Sequence, residues 1–380
     1  MRRMETLSRP PWSARRMPAA TIAATLSAEL SRVLVASEGR ARAAARFGTL
    51  LTLGCRTPYR VGDTMRAMTD TPCGGRGDGS NGWDVTTGPG VTALGLAAAR
   101  AVETSRKDRL VEDPFARRLF QAADADLPML VAWPEEGAFV SDTEALHLHG
   151  SRYIGLRTRF YDDALVAAAH DGIRQTVLLG AGLDTRAFRL DLPDDTLLVE
   201  VDQAGVLTFK DAVLRTHGVQ PRCRRLTVGI DLRADWTAEL PVAGFDRERP
   251  TAWIAEGLLP YLPPAARDQL LEQISEQSSP GSTLAFDRIA GDATNGDRLQ
   301  ALSTRSGVDM NQLLAGGEGD DPHRLLQQRG WKVTEQPTGV LADRYKRNLD
   351  DPFHPHDQGE NATEPPWLET IFLTARMAPL

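Results

Sequence analysis

The feature that most constrains the fold is the stretch "QTVLLGAGLDTRAFRL", in which a hydrophobic run enters a Gly-x-Gly turn and then a helix-like segment. A strand that feeds a glycine turn and a helix is the outline of a nucleotide-binding loop. The turn contains Gly180 and Gly182, but Thr185 stands where the dinucleotide fingerprint has its third glycine. The stretch therefore predicts a strand–turn–helix unit whose ligand differs from a dinucleotide.

Strand-like and helix-like segments alternate from this stretch to the end of the chain. The predicted strands cover residues 176–181, 197–202, 224–230, 251–257, 283–288, 331–336 and 369–377. Short or helical connections between the first four strands are typical of βαβ units, which build parallel sheets. The sequence thus predicts an α/β fold with a seven-stranded, mostly parallel sheet. A Gly- and Asp-rich insertion is predicted over residues 290–325.

Three helical segments precede the first strand. The first, "VTALGLAAARAVETSRKD", is predicted to have Thr92 as its cap. The second is predicted to be capped by Asp113, with Pro114 at the first helical position. The third is predicted over residues 143–170. Folded sequence is expected to begin at position 83, and residues 83–380 are predicted to form one domain.

Residues 1–82 are predicted to be a disordered extension that ends in a Gly-rich linker. Residues 1–67 contain twelve arginines, no lysine and four acids, without hydrophobic periodicity. A transit peptide is also rich in Arg and Ser and poor in acids, and a basic patch for a polyanion is a further alternative. An upstream reading frame with its start at Met65 or Met68 is another. We expect residues 1–67 to be dispensable for folding.

Composition bounds the partners and the compartment. A net charge of −7 gives no global reason to expect nucleic acid or membrane partners, and no run of 18 apolar residues indicates a transmembrane helix. Three widely separated cysteines fit a reduced, cytoplasmic protein without a metal site. The group His354, His356 and Asp357 is interpreted as a surface loop, and His147 and His149 are not expected to form a chelating pair.

Acidic residues stand at the carboxyl ends of successive predicted strands, where open α/β sheets bind their ligands. Asp202 ends the second strand, Asp231 and Leu232 follow the third, and Glu256 lies at the end of the fourth. Asp202 lies twenty residues after Gly182, a distance at which an acid can accept hydrogen bonds from a ribose diol. Asp231 can accept from an adenine amino group, with Leu232 beside the ring. These residues predict an adenosine site.

The threonine at the third glycine position indicates which adenosine-containing ligand the site binds. In dinucleotide sites the third glycine lets helix and strand pack closely, with the pyrophosphate at the helix N-terminus. Thr185 opposes that packing, and the carboxylate of Asp184 is expected to repel a pyrophosphate. S-adenosylmethionine meets neither obstacle, because it has no phosphate and carries positive charge. Asp184 and the strand-end acids are expected to form an acidic rim around it.

Several ordered motifs resemble a known family. The motifs "WDVTTGPGVTALGLAAARAVE", "DPFA", "LLGAGLDTRAFRL", "VEVDQAGVLTFKDAVL" and "AEGLLPYL" resemble the S-adenosylmethionine-dependent methyltransferases common in actinobacteria, which are similar to leucine carboxyl methyltransferases. The resemblance covers residues 83–377. It implies a class I methyltransferase fold, which is Rossmann-like, with an antiparallel seventh strand and a helical N-terminal lid. The segment "TTGPG" departs from the family's more usual Thr-Ser-Val-Gly.

The resemblance also implies a set of cofactor-binding residues. Together with Gly182 of the turn, the predicted set is Arg157, Gly180, Gly182, Asp202, Asp231, Leu232 and Glu256. Arg157 is expected to pair bidentately with the carboxylate of the methionyl group. Lys107 lies near a further cofactor-binding lysine of the relatives.

The predicted function is methyl transfer from S-adenosylmethionine, with oxygen of a small molecule as acceptor and a carboxylate among the candidates. A non-catalytic adenosyl-ligand binding protein and an NAD-dependent oxidoreductase remain as alternatives. Glu256 and Tyr261 follow the fourth strand, but no catalytic residue is assigned. The identity of the acceptor and the oligomeric state stay open.

Overall fold

The computed structural model describes residues 89–378, apart from positions 126 and 128 and the segments 290–320 and 351–365. The predicted extension and linker, the predicted start of the folded domain and the loop around His354 lie outside the described residues. Most of the predicted insertion does so too. Its last residues belong to a helix that begins at Pro322.

The predicted strands form one sheet. Its strands are β1 Gln175–Leu179, β2 Leu197–Asp202, β3 Arg224–Gly229, β4 Thr251–Ala255, β5 Thr283–Ile289, β6 Trp331–Pro337 and β7 Thr370–Met377. Their order is β3-β2-β1-β4-β5-β7-β6. Strands β1 to β5 pair in parallel, and β7 runs antiparallel to both β5 and β6. This confirms the seven-stranded, mostly parallel sheet with its antiparallel seventh strand.

Helices cover both faces of the sheet. They are α1 Pro89–Ser105, α2 Ala116–Ala122, α3 Asp142–His170, α4 Arg186–Arg189, α5 Ala204–Thr216, α6 Pro264–Glu276, α7 Pro322–Gln328 and α8 Thr338–Tyr345. Because side chains alternate along a strand, Leu178 of β1 packs with α1, α3 and α5, whereas Val177 and Leu179 pack with α6 and α7. The central strands are therefore buried on both faces.

Both predicted caps of the N-terminal helices need correction. Helix α1 begins at Pro89, so Thr92 lies inside it. Helix α2 begins at Ala116, two residues after Pro114. The Asp113 carboxylate nevertheless accepts from the backbone N–H groups of Phe115 and Ala116, each at 3.1 Å. Asp113 thus satisfies amides at the start of α2 through a turn that precedes the helix.

The helical lid, α1, is anchored on α3 by a close crossing. A Cβ at Gly155 of α3 would collide with the side chain of Glu103 of α1. Glu103 is buried and pairs with Arg347 at 2.5 Å. Glycine at position 155 therefore lets a buried charged side chain lie directly between the two helices.

Candidate functional site

A cavity of about 530 Å³ lies at the carboxyl ends of β1 to β4, beneath α1. This volume is within the range of small-molecule sites. All seven residues of the predicted set line it, namely Arg157, Gly180, Gly182, Asp202, Asp231, Leu232 and Glu256. Lys107 is exposed and is not among the lining residues. The residues that share a strand-end position in the sequence are thus brought to one cavity.

The glycine turn has its own steric requirement. Gly180 and Gly182 have φ values of +64° and +47°, in the left-handed region that favours glycine. A Cβ at Gly180 would come within 3.2 Å of Leu258, another lining residue. The backbone of the turn therefore requires glycine at both positions, in addition to any approach of a ligand.

Asp202 closes the glycine turn onto β2. Its Oδ2 atom accepts from the N–H of Gly182 at 2.6 Å, and its Oδ1 atom accepts from the N–H of Gln203 at 2.6 Å. Burial raises the pKa of Asp202 above its ordinary value, although both amides oppose that shift. Each carboxylate oxygen retains a second lone pair, so Asp202 can still accept from a ligand.

Asp231 is held by a neighbour in the sequence. The Arg233 guanidinium donates to Oδ1 at 2.9 Å and to Oδ2 at 2.6 Å. These hydrogen bonds lower the pKa of Asp231 to about 2. Leu232, between the two, packs partly against the core on the α6 face of the sheet. This corner of the cavity therefore combines a fully ionised acid with an apolar side chain.

Glu256 is bound by two arginines. Its Oε1 atom accepts from Arg157 Nε at 3.0 Å, and its Oε2 atom lies 2.8 Å from an Arg186 terminal nitrogen. Burial raises the pKa of Glu256, but Arg186 and Arg157 outweigh burial and hold the pKa below its ordinary value. Glu256 is therefore ionised and electrostatically compensated.

Arg157 has capacity left for a ligand. Its side chain is 9% exposed, and only its Nε atom has a hydrogen-bond partner within the described part of the chain. Its terminal nitrogens lie beside Gly257, where a Cβ would approach to 2.9 Å. Because Glu256 holds Nε, the remaining donors of the fork can bind an anionic group in the cavity.

The structure corrects the predicted role of Asp184. Arg186 donates its backbone N–H to Oδ1 at 2.7 Å and forms an ion pair with Oδ2 through its side chain. Burial raises the pKa of Asp184, but Arg186 and then Lys210 and Arg189 hold it below the ordinary value. The four acids of the expected rim all line the cavity, but Arg186 folds back onto Asp184 and compensates its charge, so the expected repulsion of a pyrophosphate by Asp184 loses its basis.

The residue at the third glycine position ties the turn to the lid. Thr185 is buried, and its hydroxyl donates to Asp113 Oδ2 at 2.8 Å. Arg100 of α1 donates to the same oxygen at 2.9 Å and to the carbonyl of Leu183 at 2.7 Å. A glycine at position 185 would lose this link. Sequence reasoning missed Arg100 and Arg186, whose partners are distant in the chain or follow a tight turn.

Tyr261 and Thr92 are neighbours in the cavity wall. Both line the cavity, Thr92 from α1 and Tyr261 from the segment after β4. Burial raises the pKa of Tyr261, and a hydrogen bond with Thr92 opposes the shift. The residue that was predicted to cap α1 therefore contributes its hydroxyl to the site.

The described residues hold no group of three or more potential metal ligands, and no described helix is long and apolar enough to cross a membrane. His147 and His149 each hydrogen bond to a backbone carbonyl, of Leu130 and Leu349 respectively. Cys223 is buried and unpaired. The expectation that the two histidines do not form a chelating pair agrees with these separate partners.

The chain is similar to a described enzyme family and to several bacterial proteins. The leucine carboxyl methyltransferase family model matches residues 93–275. A protein of Saccharopolyspora erythraea is 43% identical over 271 residues, which cover 71% of this chain and 92% of that protein. One of Rhodococcus jostii is 42% identical over 284 residues, covering 73% and 93%. One of Mycolicibacterium paratuberculosis is 38% identical over 316 residues, covering 78% and 97%. All three are named "Putative S-adenosyl-L-methionine-dependent methyltransferase".

Proposed function

The chain belongs to the family of S-adenosyl-L-methionine-dependent methyltransferases that these relatives represent, and from this premise we propose that it methylates oxygen in a small molecule, with a carboxylate as the favoured acceptor. The chain is accordingly an enzyme with S-adenosyl-L-methionine as its methyl donor. Beyond the family and the methyl donor, we propose the atom that is methylated and the chemical class of the acceptor. We also propose a cytoplasmic reaction, because widely separated cysteines fit a reducing compartment.

The observation that carries the proposal is the pairing with arginines of three of the four acids that line the cavity, the fourth being Asp202, which is assigned to the ribose. Glu256 is bound by two arginines, Asp184 by Arg186 and Asp231 by Arg233. In each case the guanidinium helps to lower the pKa of the carboxyl group. Carboxylates with a lowered pKa are weak general bases. An acceptor that is already ionised suits such a site, since a carboxylate needs no proton removed before it attacks.

The name of the matching family supports the same choice. A leucine carboxyl methyltransferase acts, by that name, on a carboxyl group. For this chain, we propose that the acceptor group is likewise a carboxylate, without specifying the molecule that carries it. The proposal agrees with a cavity whose walls include apolar side chains such as Leu96 and Leu262.

We assign the cofactor contacts as follows. Asp202 accepts from the ribose hydroxyls, and Asp231 with Leu232 receives the adenine. Arg157 binds the methionyl carboxylate with the donors that Glu256 leaves unused. Gly180 and Gly182 keep the turn clear of side chains beside the cofactor.

The role of the protein in the reaction is to align the reactants and exclude water. The donor supplies a methyl group on a sulfonium, and transfer is an in-line displacement. The new bond joins the methyl carbon to the acceptor oxygen, the carbon–sulfur bond breaks, and its electron pair stays on sulfur as a neutral thioether. Helix α1, held to the glycine turn by Arg100 and Thr185, covers the cavity and shields the sulfonium from hydrolysis.

A panel of labelled-methyl transfer assays tests the acceptor class. Small carboxylic acids would be compared with the alcohols and amines of the same carbon skeletons, each incubated with enzyme and methyl-labelled S-adenosyl-L-methionine. The proposal expects label on the acids, released by mild base because methyl esters hydrolyse. Base-stable label on the alcohols would overturn the carboxylate, and label on the amines would overturn oxygen as the acceptor.

Calorimetry distinguishes the methyltransferase from the alternatives that the sequence left open. Wild-type protein would be titrated with S-adenosyl-L-methionine, S-adenosylhomocysteine and NAD. We expect binding of the first two and none of NAD. Tighter binding of NAD would revive an oxidoreductase, whereas cofactor binding without transfer to any compound of a metabolite extract would indicate a binding protein.

A further inference from the structure

Lys210 is a fully buried lysine close to the cofactor turn. It lies on α5 with a side chain that is 0% exposed. Its ammonium is 2.7 Å from Glu200 Oε2 and donates to the backbone carbonyl of Asp184 at 3.1 Å. Fully buried lysines are rare, because removing an ammonium from water is expensive unless it is paired. Its position therefore requires an explanation.

The partners of Lys210 connect three elements. Glu200 is on β2, two residues before Asp202, and side chains at this spacing share one face of a strand. Asp184 is in the glycine turn, so the ammonium fixes that turn against β2 and α5. Arg225 of β3 donates to the same Glu200 oxygen at 2.6 Å. The result is a buried network of ion pairs and hydrogen bonds that extends from Arg225 on β3 through Glu200 and Lys210 to the turn.

We propose that Lys210 is a positioning residue for S-adenosyl-L-methionine, which holds the glycine turn through the Asp184 carbonyl and provides the positive charge beside the Asp202 carboxylate. The inference rests on the proposed assignment of Asp202 and the turn to the cofactor. Lys210 does not line the cavity, so it acts through these two residues.

The charge of Lys210 has a direct effect on Asp202. Burial raises the pKa of Asp202; the amides of Gly182 and Gln203 and the charge of Lys210 lower it, and Glu200 raises it again. Asp231, two residues after the end of the neighbouring strand β3, also lines the cavity, and its charge is compensated by Arg233. Asp202 must be ionised to accept from two ribose hydroxyls, so loss of Lys210 should make cofactor binding weaker and more sensitive to acid.

The test is the pH profile of cofactor affinity. The dissociation constant of S-adenosyl-L-methionine would be measured by calorimetry between pH 5 and pH 9, for wild type and for Lys210→Met. We expect binding of the variant to be about tenfold weaker at the acid end of this range, with a gap that narrows as the pH rises. The midpoint of the variant's profile should lie at a higher pH than that of wild type.

Three further variants keep the test decisive. Lys210→Arg retains the charge and should restore the wild-type midpoint. The double variant Glu200→Gln/Lys210→Met avoids a buried acid without its ammonium, and its midpoint should fall between wild type and Lys210→Met. Lys332→Met removes a charge from an exposed lysine on β6 and should superimpose on wild type. Melting temperatures would establish that each variant is folded.

The outcomes are distinguishable. If wild type binds the cofactor and the Lys210→Met variant binds it equally well at every pH, the positioning role is overturned while the proposed function stands. Binding that is weaker by one constant factor at every pH overturns the effect of the Lys210 charge on Asp202 and supports the hold on the turn through the Asp184 carbonyl. If wild type binds no S-adenosyl-L-methionine, both are overturned. A shifted midpoint that Lys210→Arg restores supports the inference.

Discussion

The two sides of the cavity hold their acids in different ways. On the β2–β3 side, Asp202 and Asp231 are held by residues next to them in the sequence or by backbone amides of the turn. On the β4 side, Glu256 is held by Arg157 and Arg186, which lie 99 and 70 positions earlier in the chain. Charge on the β4 side is therefore bound into the fold, whereas charge on the β2–β3 side stays available to a ligand.

This difference predicts that substitutions on the two sides have different consequences. On the β4 side a lost charge leaves buried partners uncompensated, which destabilises the protein. On the β2–β3 side a lost charge should remove the proposed hydrogen bonds to the cofactor and have a smaller effect on folding. The variants below test this separation.

Arg186→Met should have the largest effect. Arg186 pairs with Asp162, Asp184 and Glu256, and its side chain is 2% exposed. Removing it leaves three buried acids short of a partner, so we expect the free energy of unfolding to fall by about 3–5 kcal/mol. Urea denaturation measures the change.

Arg233→Met is the matched control on the other side. The Arg233 side chain is 65% exposed and pairs with Asp231. Exposed pairs contribute about 0–1 kcal/mol, so the control should lie close to wild type. An equal loss of stability in the two variants would end the distinction between the sides.

Glu256→Gln should have the next largest effect, about 3 kcal/mol of stability at pH 7. The pKa of Glu256 is lowered in the folded state, so its contribution is fully present above the ordinary value of 4.5 and is lost as the pH falls through the folded value. The difference between wild type and the variant should therefore shrink below pH 4.5 in unfolding experiments. A difference that is constant with pH would show that the loss is steric.

The contribution of Asp202 to the free energy of unfolding changes with pH in the opposite direction to that of Glu256. Burial raises its pKa, so its contribution to stability becomes more favourable as the pH falls through the folded value towards the ordinary value of 3.8. The two sides thus respond to acid in opposite directions. An ionised Asp202 therefore lowers the free energy of unfolding, which is expected where a carboxylate is placed to bind a ligand and not to stabilise the fold.

Asp202→Ala should weaken cofactor binding by about 1.5–3 kcal/mol, because hydrogen bonds to a charged acceptor are lost. Asp195→Ala is the control, since Asp195 pairs with Arg174 at 3.0 Å on the surface and its side chain is 74% exposed. Calorimetric titration with S-adenosyl-L-methionine compares them. Equal affinities would remove Asp202 from the site.

The same contrast explains how much the sequence could predict. The strands were predicted within two residues at each end because their buried, alternating side chains have a local signature, and the strand-end residues followed from them. Thr92 was misplaced because a threonine near the start of a helix has the local signature of a cap, whereas its hydroxyl partner, Tyr261, is distant in the chain. Asp184 was read as an isolated acid, since nothing in the sequence indicates that Arg186 turns back onto it. Partners that meet only through folding were the part that local patterns could not give.

The smallest expected effect concerns the glycine turn itself. Gly180 and Gly172 both have left-handed backbones, with φ of +64° and +88°. A Cβ at Gly172 meets no atom within 4 Å, whereas one at Gly180 would press on Leu258 at the cavity wall. Alanine at either position should lower the free energy of unfolding by about 1 kcal/mol, because both variants force an L-residue into the left-handed region.

Only Gly180→Ala should also weaken binding of S-adenosyl-L-methionine, by about threefold to tenfold, or about 0.7–1.4 kcal/mol. The matched loss of stability in Gly172→Ala removes backbone strain from the comparison, and what remains is the displacement of Leu258 into the cavity. Thermal unfolding and calorimetry on the two variants supply both quantities. Normal cofactor affinity in a folded Gly180→Ala variant would mean that the turn is required by the fold alone, and the β2–β3 side would then owe its ligand to Asp202 and Asp231 without a contribution from the glycines.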